Sequence, residues 1–122
     1  MATVCLSFRR NLYLYTIMEY DSGWHTYYVY ILTNKNRTVL YTGVTNNLGV
    51  RLSQHQSKLN EKSFSARYNC FFLIYYEKFT WINEAIAREK EIKNLRRSLK
   101  LDLIMRFNPT LKFLNDHFKN SL

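Results

Sequence analysis

Residues 28–55 carry the pattern that most restricts what this chain can fold into. Two runs rich in β-branched and aromatic residues, 27–33 and 38–44, flank the polar run Asn34, Lys35, Asn36 and Arg37. Such runs read as strands and such a break as a turn, so the pair forms an antiparallel hairpin. Asn46 or Asn47 then caps a helix that reaches about residue 58. Within it Leu48, Arg51, Leu52 and His55 stand at i, i+3, i+4 and i+7 and share one face. That face has to pack on the hairpin, which sets a guanidinium and an imidazole against the sheet or its rim.

The rest of the chain completes a small α+β domain. Residues 70–79 are a long apolar and aromatic run, read as the central strand. Thr80 or Asn83 opens a second helix that continues to about residue 98, and residues 99–106 form a short third helix. Asn108 and Pro109 break the chain, and residues 111–118 give a last helical turn or two. The order is β-β-α-β-α-α, a three-stranded antiparallel sheet flanked by helices. A chain of 122 residues makes one domain, placed at 26–118. Residues 1–25 differ in character: Arg9 and Arg10 precede a short apolar run broken by tyrosines, with no small-residue cleavage site. They are expected to be a loose extension or a start-site artefact, with Met18 as the biological start.

Charge and cysteine content narrow the partner and the compartment. Eighteen Lys and Arg against nine Asp and Glu give a net charge of +9, which calls for an anionic partner, nucleic acid first. No apolar run approaches the ~18 residues of a membrane span. Cys5 and Cys70 form no CxxC pair or zinc-finger spacing, a pattern that fits a reducing, cytoplasmic compartment.

Three further residues stand where their chemistry needs explaining. Glu89 falls inside the apolar stripe of Ile82, Ala85, Ile86 and Ile92, whereas Glu84 and Glu91 fall toward solvent. A carboxylate in that stripe costs several kcal/mol unless it pairs with Arg51 or Lys93, or binds a divalent cation. Tyr30 shares a strand face with Tyr28, and Tyr41 precedes Gly43. A glycine inside a strand marks a place where another group approaches closely.

Tyr28-Val29-Tyr30, followed by Tyr41-Thr42-Gly43, resembles the paired signatures of the GIY-YIG nucleases. Arg51 and His55 stand where that family carries an arginine and, in many members, a histidine. Ala87-Arg88-Glu89 with Ile92-Lys93 resembles the helix that bears the family's metal-binding glutamate. Tyr28-Val29-Tyr30-Ile31-Leu32-Thr33-Asn34 and the late Asn108-Pro109 resemble the small stand-alone bacterial branch. The resemblance covers residues 27–114. Tyr28 in place of the first glycine, Val44 after the second signature and Gly49 inside the helix depart from the family pattern.

The resemblance implies a catalytic set of Tyr30, Tyr41, Arg51, His55 and Glu89, acting on nucleic-acid phosphodiesters, DNA first and by structure more than by sequence. Glu89 would hold one Mg²⁺ or Mn²⁺, Tyr30 would be the general base, and Tyr41 and Arg51 would bind the phosphate. The two tyrosines can exchange roles. His55 would orient a tyrosine hydroxyl or share its proton. Lys90, Lys93, Arg96, Arg97 and Lys100 would track the backbone of the bound strand. No membrane is involved, and the chain would be a monomer or weak homodimer. One alternative is a nucleic-acid-binding module that keeps the fold with little or no turnover. Another is a protein-interaction module built on the aromatic sheet and basic helices.

Overall fold

A computed structural model of the chain describes residues 5–6, 26–57 and 67–121. The strands are β1 (Cys5–Leu6), β2 (Tyr27–Thr33), β3 (Leu40–Thr45) and β4 (Phe72–Phe79). The helices are α1 (Leu48–Gln56), α2 (Ile82–Lys93) and α3 (Arg97–Phe107), and a 3₁₀ helix spans Asn115–Ser121. As expected, an antiparallel three-stranded sheet with flanking helices forms the domain; its order is β3-β2-β4. The two residues of β1 extend it at the outer edge of β3, opposite Val44 and Thr45. Other than β1, the expectation for residues 1–25 falls outside the described residues.

The hairpin register sets which side chains can meet on each face of the sheet. Tyr30 lies opposite Gly43 and Leu32 opposite Tyr41. Asn34 closes the connection, its side-chain oxygen accepting from the backbone N–H of Thr38 at 2.8 Å and of Val39 at 3.2 Å. Arg37 takes the left-handed conformation at φ 60°.

One strand assignment needs correction. The central strand is β2, and the apolar run at 72–79 is an edge strand. Every residue of β2 except Tyr28 is buried, as a strand covered on both faces and both sides must be. The unbroken apolar run in β4 comes from a bulge. Ile31 pairs with Tyr75 but Leu32 with Leu73, leaving Ile74 as the extra residue. Ile74 and Tyr75 therefore turn to one core while Leu73 turns to the other.

Helix boundaries shift for local reasons. The second helix stops at Lys93 instead of continuing to 98, because Leu95 N–H tightens onto Ile92 C=O and Arg96 is extended. Its N-cap position is Trp81, which supplies no side-chain cap, so neither Thr80 nor Asn83 plays that part. The first helix is capped by Asn47, whose side-chain oxygen accepts from Val50 N–H at 3.1 Å. Asn108 is more than a breaker: buried, its amide donates to Ile74 C=O at 3.0 Å and to Lys112 C=O at 2.8 Å. No helix among the described residues is long and apolar enough to cross a membrane.

The alternation along β2 separates two cores. Tyr27, Val29 and Ile31 pack with Val44 and with Ala85, Ile86 and Ile92 of α2. Tyr30 and Leu32 pack on the other face with Leu48 and Leu52 of α1, Cys70 and Leu73. The two helices that carry the polar residues of interest therefore lie on opposite faces of the sheet.

Candidate functional site

On the α1 face, five side chains meet. The Tyr30 hydroxyl is 3.1 Å from His55 Nε2 and accepts from Arg51 Nε at 3.2 Å. Arg51 Nη1 also donates to Gln54 Oε1 at 3.1 Å. The Tyr41 ring stands edge-on to the His55 ring at 5.3 Å between centroids, and 6.4 Å from the Tyr30 ring. The sequence brings them together through two periods at once. Positions 41 and 43 share a face of β3, position 30 lies across from Gly43, and positions 51 and 55 lie one helical turn apart on α1.

Exposure separates the two tyrosines. Tyr30 is 0% exposed, whereas Tyr41 and Arg51 are partly open. Gly43 leaves room for the buried ring, since a Cβ there would sit 2.6 Å from the Tyr30 hydroxyl. The close approach expected of that glycine is therefore met by Tyr30 itself.

His55 is 4% exposed. Burial first, and the Arg51 guanidinium second, pull its pKa down from 6.5 to about 3. The imidazole is therefore neutral near pH 7. The guanidinium can only donate, so the Tyr30 oxygen accepts from it, while the direction of the Tyr30–His55 bond follows the imidazole tautomer. Arg51, Tyr30 and His55 are thereby linked in one hydrogen-bonded chain. Gln54, which anchors the guanidinium, was missed in the sequence; its i+3 spacing from Arg51 was the available signal.

Glu89 stands apart from this group. It is 2% exposed, on the sheet-facing stripe of α2, on the face opposite Tyr30. Lys93 Nζ lies 2.9 Å from its Oε2. This charge-assisted contact with Lys93 is the partner of the buried oxygen. Burial raises the Glu89 pKa, and Lys93 and Lys90 act against that rise. The expected internal pairing is thus to Lys93, and Arg51 is engaged elsewhere. Glu84 and Glu91 face solvent as expected, Glu91 paired with Arg88.

A buried carboxylate is a hard oxygen donor of the kind that Mg²⁺ or Mn²⁺ takes. The donor chemistry of Glu89 therefore fits such an ion, although a lysine ammonium holds the cation position beside it. Among the described residues no three of His, Cys, Asp and Glu gather into a further metal site.

The five basic residues expected to follow a strand divide. Lys93 is engaged with Glu89, and Lys90 and Arg96 are exposed. Arg97 and Lys100 line a crevice of about 210 Å³ against Thr38, Val39 and Leu40. Burial, then Lys93 and Arg97, lower the Lys100 pKa.

The GIY-YIG catalytic domain family matches residues 26–102. The chain belongs to the GIY-YIG family. Among relatives, a UPF0213 protein of Oceanobacillus iheyensis is 42% identical over 78 residues, covering 64% of this chain and 88% of that protein. A UPF0213 protein of Clostridium perfringens is 44% identical over 77 residues, covering 63% of this chain and 81% of that protein. The solution NMR structure of a UPF0213 protein from Bacillus halodurans is 29% identical. It covers 80% of this chain and 96% of that one, with a TM-score of 0.43. The names of these relatives state no reaction. Membership of the GIY-YIG family supports a nuclease-type domain that handles nucleic acid.

Proposed function

We propose that this chain is a metal-dependent endonuclease that hydrolyses nucleic-acid phosphodiesters, DNA first, with the reacting phosphate held on the α1 face of the sheet. The observation that carries this is the hydrogen-bonded run from Arg51 through Tyr30 to His55, with Tyr41 beside it at the surface. Arg51 offers a planar, permanently charged donor set that matches phosphate geometry and stabilises charge added in the transition state. Tyr41 is the tyrosine open to solvent, so its hydroxyl is assigned to the attacking water or the phosphate. Tyr30, fully buried, is assigned a positioning part: it orients the guanidinium against the neutral His55, whose burial keeps it unprotonated. Glu89 is the residue that would hold one Mg²⁺ or Mn²⁺ by its donor chemistry, a Lewis acid for phosphate charge; from the far face of the sheet the ion would not touch a phosphate at Arg51. Lys90, Arg96, Arg97 and Lys100, with a net charge of +9 overall, would draw in the backbone.

One observation favours the alternative of binding with little or no turnover. Glu89 lies on the sheet face away from Tyr30, with Lys93 in the cation position. The two outcomes part in one assay. Labelled single-stranded, duplex, flap and branched DNA, and RNA, are incubated with Mg²⁺ or Mn²⁺ and wild-type, Arg51→Ala or Glu89→Ala protein. Metal-dependent products lost in both variants support hydrolysis. Salt-sensitive binding without products supports the alternative, and products that persist in both variants rule out this site.

A further inference from the structure

Arg97 and Lys100 stand three positions apart at the start of α3 and share one face of it. That face closes the crevice of about 210 Å³ against Thr38, Val39 and Leu40. Leu40 packs into the same core as Leu103 and Ile104 of α3, so both walls are anchored. Asn34 holds the hairpin wall further. Its Oδ1 accepts from the backbone N–H of Thr38 and Val39, and its Nδ2 donates to the Thr38 hydroxyl oxygen at 2.7 Å. The Thr38 hydroxyl is thus an acceptor for Asn34, and its own proton has no acceptor among the described residues.

No negative group answers the two cations. Among the described residues the ion pairs join Arg88 to Glu77 and Glu91, and Lys93 to Glu89. Neither Arg97 nor Lys100 has an ion pair or a side-chain hydrogen bond among those residues. The first turn of α3 holds no acidic residue. Asp102, the one carboxylate of α3, follows Lys100 by two positions and so lies on another side of the helix. The charges that bear on Lys100 are those of Lys93 and Arg97, both positive, and with burial they lower its pKa.

Two like charges left unpaired in one crevice repel, and a bound anion relieves them. A phosphodiester brings a single negative charge. A phosphomonoester brings about −1.5 to −2 at neutral pH and three strong acceptor oxygens. The monoester therefore matches both cations in charge and matches the guanidinium, the ammonium and the Thr38 hydroxyl in number of donors. The crevice is smaller than the ~300–1,000 Å³ of ordinary small-ligand sites, which suits a phosphate group without its base. We propose that this crevice is a phosphomonoester site, which takes the terminal phosphate of a nucleic-acid strand or of a free phosphate ester in preference to an internal diester. The site stands on the charges of the crevice itself and goes beyond the general attraction of the basic residues for a strand. It does not rest on cleavage at Arg51.

The test reads binding and not turnover. Isotope-labelled protein is titrated by NMR with adenosine 5′-monophosphate, cyclic adenosine 3′,5′-monophosphate and adenosine. The monoester should shift the amides of Thr38, Leu40 and Lys100 and bind about tenfold more tightly than the cyclic diester. Adenosine should leave those amides unmoved. Arg97→Gln and Lys100→Gln take no partner from any described residue, so both should keep the wild-type melting temperature and weaken the preference. Arg51→Ala should keep the shifts and the preference, which separates this crevice from the site of proposed cleavage. An oligonucleotide with a 5′-phosphate is then compared with its 5′-hydroxyl form. Tighter binding of the phosphorylated form identifies a strand end as the source, and a mononucleotide that binds while the 5′-phosphate adds nothing identifies a free ester. Unmoved crevice amides, equal affinity for monoester and diester, or a preference that survives Arg97→Gln combined with Lys100→Gln would overturn the proposal.

Discussion

Tyr30 and Gly43 face each other across the hairpin so closely that one of them has to lack a side chain. A Cβ on Gly43 would lie 2.6 Å from the Tyr30 hydroxyl and 2.7 Å from its Cζ. Gly43→Ala should therefore push the ring off Arg51 and His55 and cost about 1–3 kcal/mol, read as a lowered urea midpoint. Adding Tyr30→Phe should not restore stability, because Cζ remains in the way. A wild-type midpoint in Gly43→Ala would contradict this packing.

His55 makes stability depend on pH with a definite sign. Its folded pKa of about 3 lies below the unfolded value of 6.5. The contribution is fully present above pH 6.5 and is lost as pH falls toward 3, because the unfolded chain takes a proton that the folded chain refuses. The expected slope from this residue is up to about 1.4 kcal/mol per pH unit in that window. Urea midpoints measured across the window should fall with pH in wild type and fall less steeply in His55→Gln. Identical slopes would place the imidazole in solvent.

The two tyrosines should respond differently to loss of the hydroxyl. Tyr41→Phe should leave the fold unchanged and abolish most cleavage. Tyr30→Phe should lower stability by about 1 kcal/mol, since a buried hydroxyl with two partners is removed and both partners stay behind. It should also shift the pH–rate profile, because His55 loses its neighbour. Full cleavage by Tyr41→Phe would assign the chemistry to another group.

Glu89 depends on Lys93 for its charge. Lys93→Met should cost about 1–3 kcal/mol at neutral pH, less than a fully buried pair because the lysine is partly exposed. Burial raises the Glu89 pKa, and without its partner it rises further, so stability is lost as pH climbs through the folded value. The penalty should shrink toward pH 4, where the carboxyl is protonated, and nearly vanish in Glu89→Gln combined with Lys93→Met. A pH-independent penalty would show that the pair contributes only packing.

Cys70 is fully buried, and burial lifts its pKa from 9.0 to about 11. Its thiol should resist alkylation at pH 8 in the native protein and react at once in denaturant. Rapid native labelling of Cys70, mapped by mass spectrometry, would contradict its place in the core.

The local half of the fold was legible in the sequence, and the long-range half was not. Strand β2, the Asn34 turn, β3 and the Asn47 cap arise from residue chemistry that acts within a few positions. The i, i+4 partnership of Arg51 and His55 is likewise written in spacing. The bulge at Ile74 is not, because an unbroken apolar run has no period with which to tell an extra residue from a doubly buried strand. That is why β4 read as central. The break after Lys93 carries no glycine or proline; there Leu95 N–H closes onto Ile92 C=O and Arg96 is extended. Gly43 signalled a close approach, but only the register identified Tyr30 as the approaching group. That same burial is the ground on which Tyr41, and not Tyr30, is proposed to face the attacking water. Glu89 was recognisable as a costly carboxylate on an apolar stripe. Which face of the sheet received that stripe depended on the path of the chain through β4.

The central claim is that a phosphate is held and cut beside Arg51. Its most direct test is the single-turnover, Mn²⁺-dependent cleavage rate of wild type beside Arg51→Ala, with the melting temperature of each measured to show that both are folded. Arg51→Ala should lose about 10²–10³-fold in rate with little change in melting temperature. A folded Arg51→Ala protein that cleaves at the wild-type rate would contradict the claim.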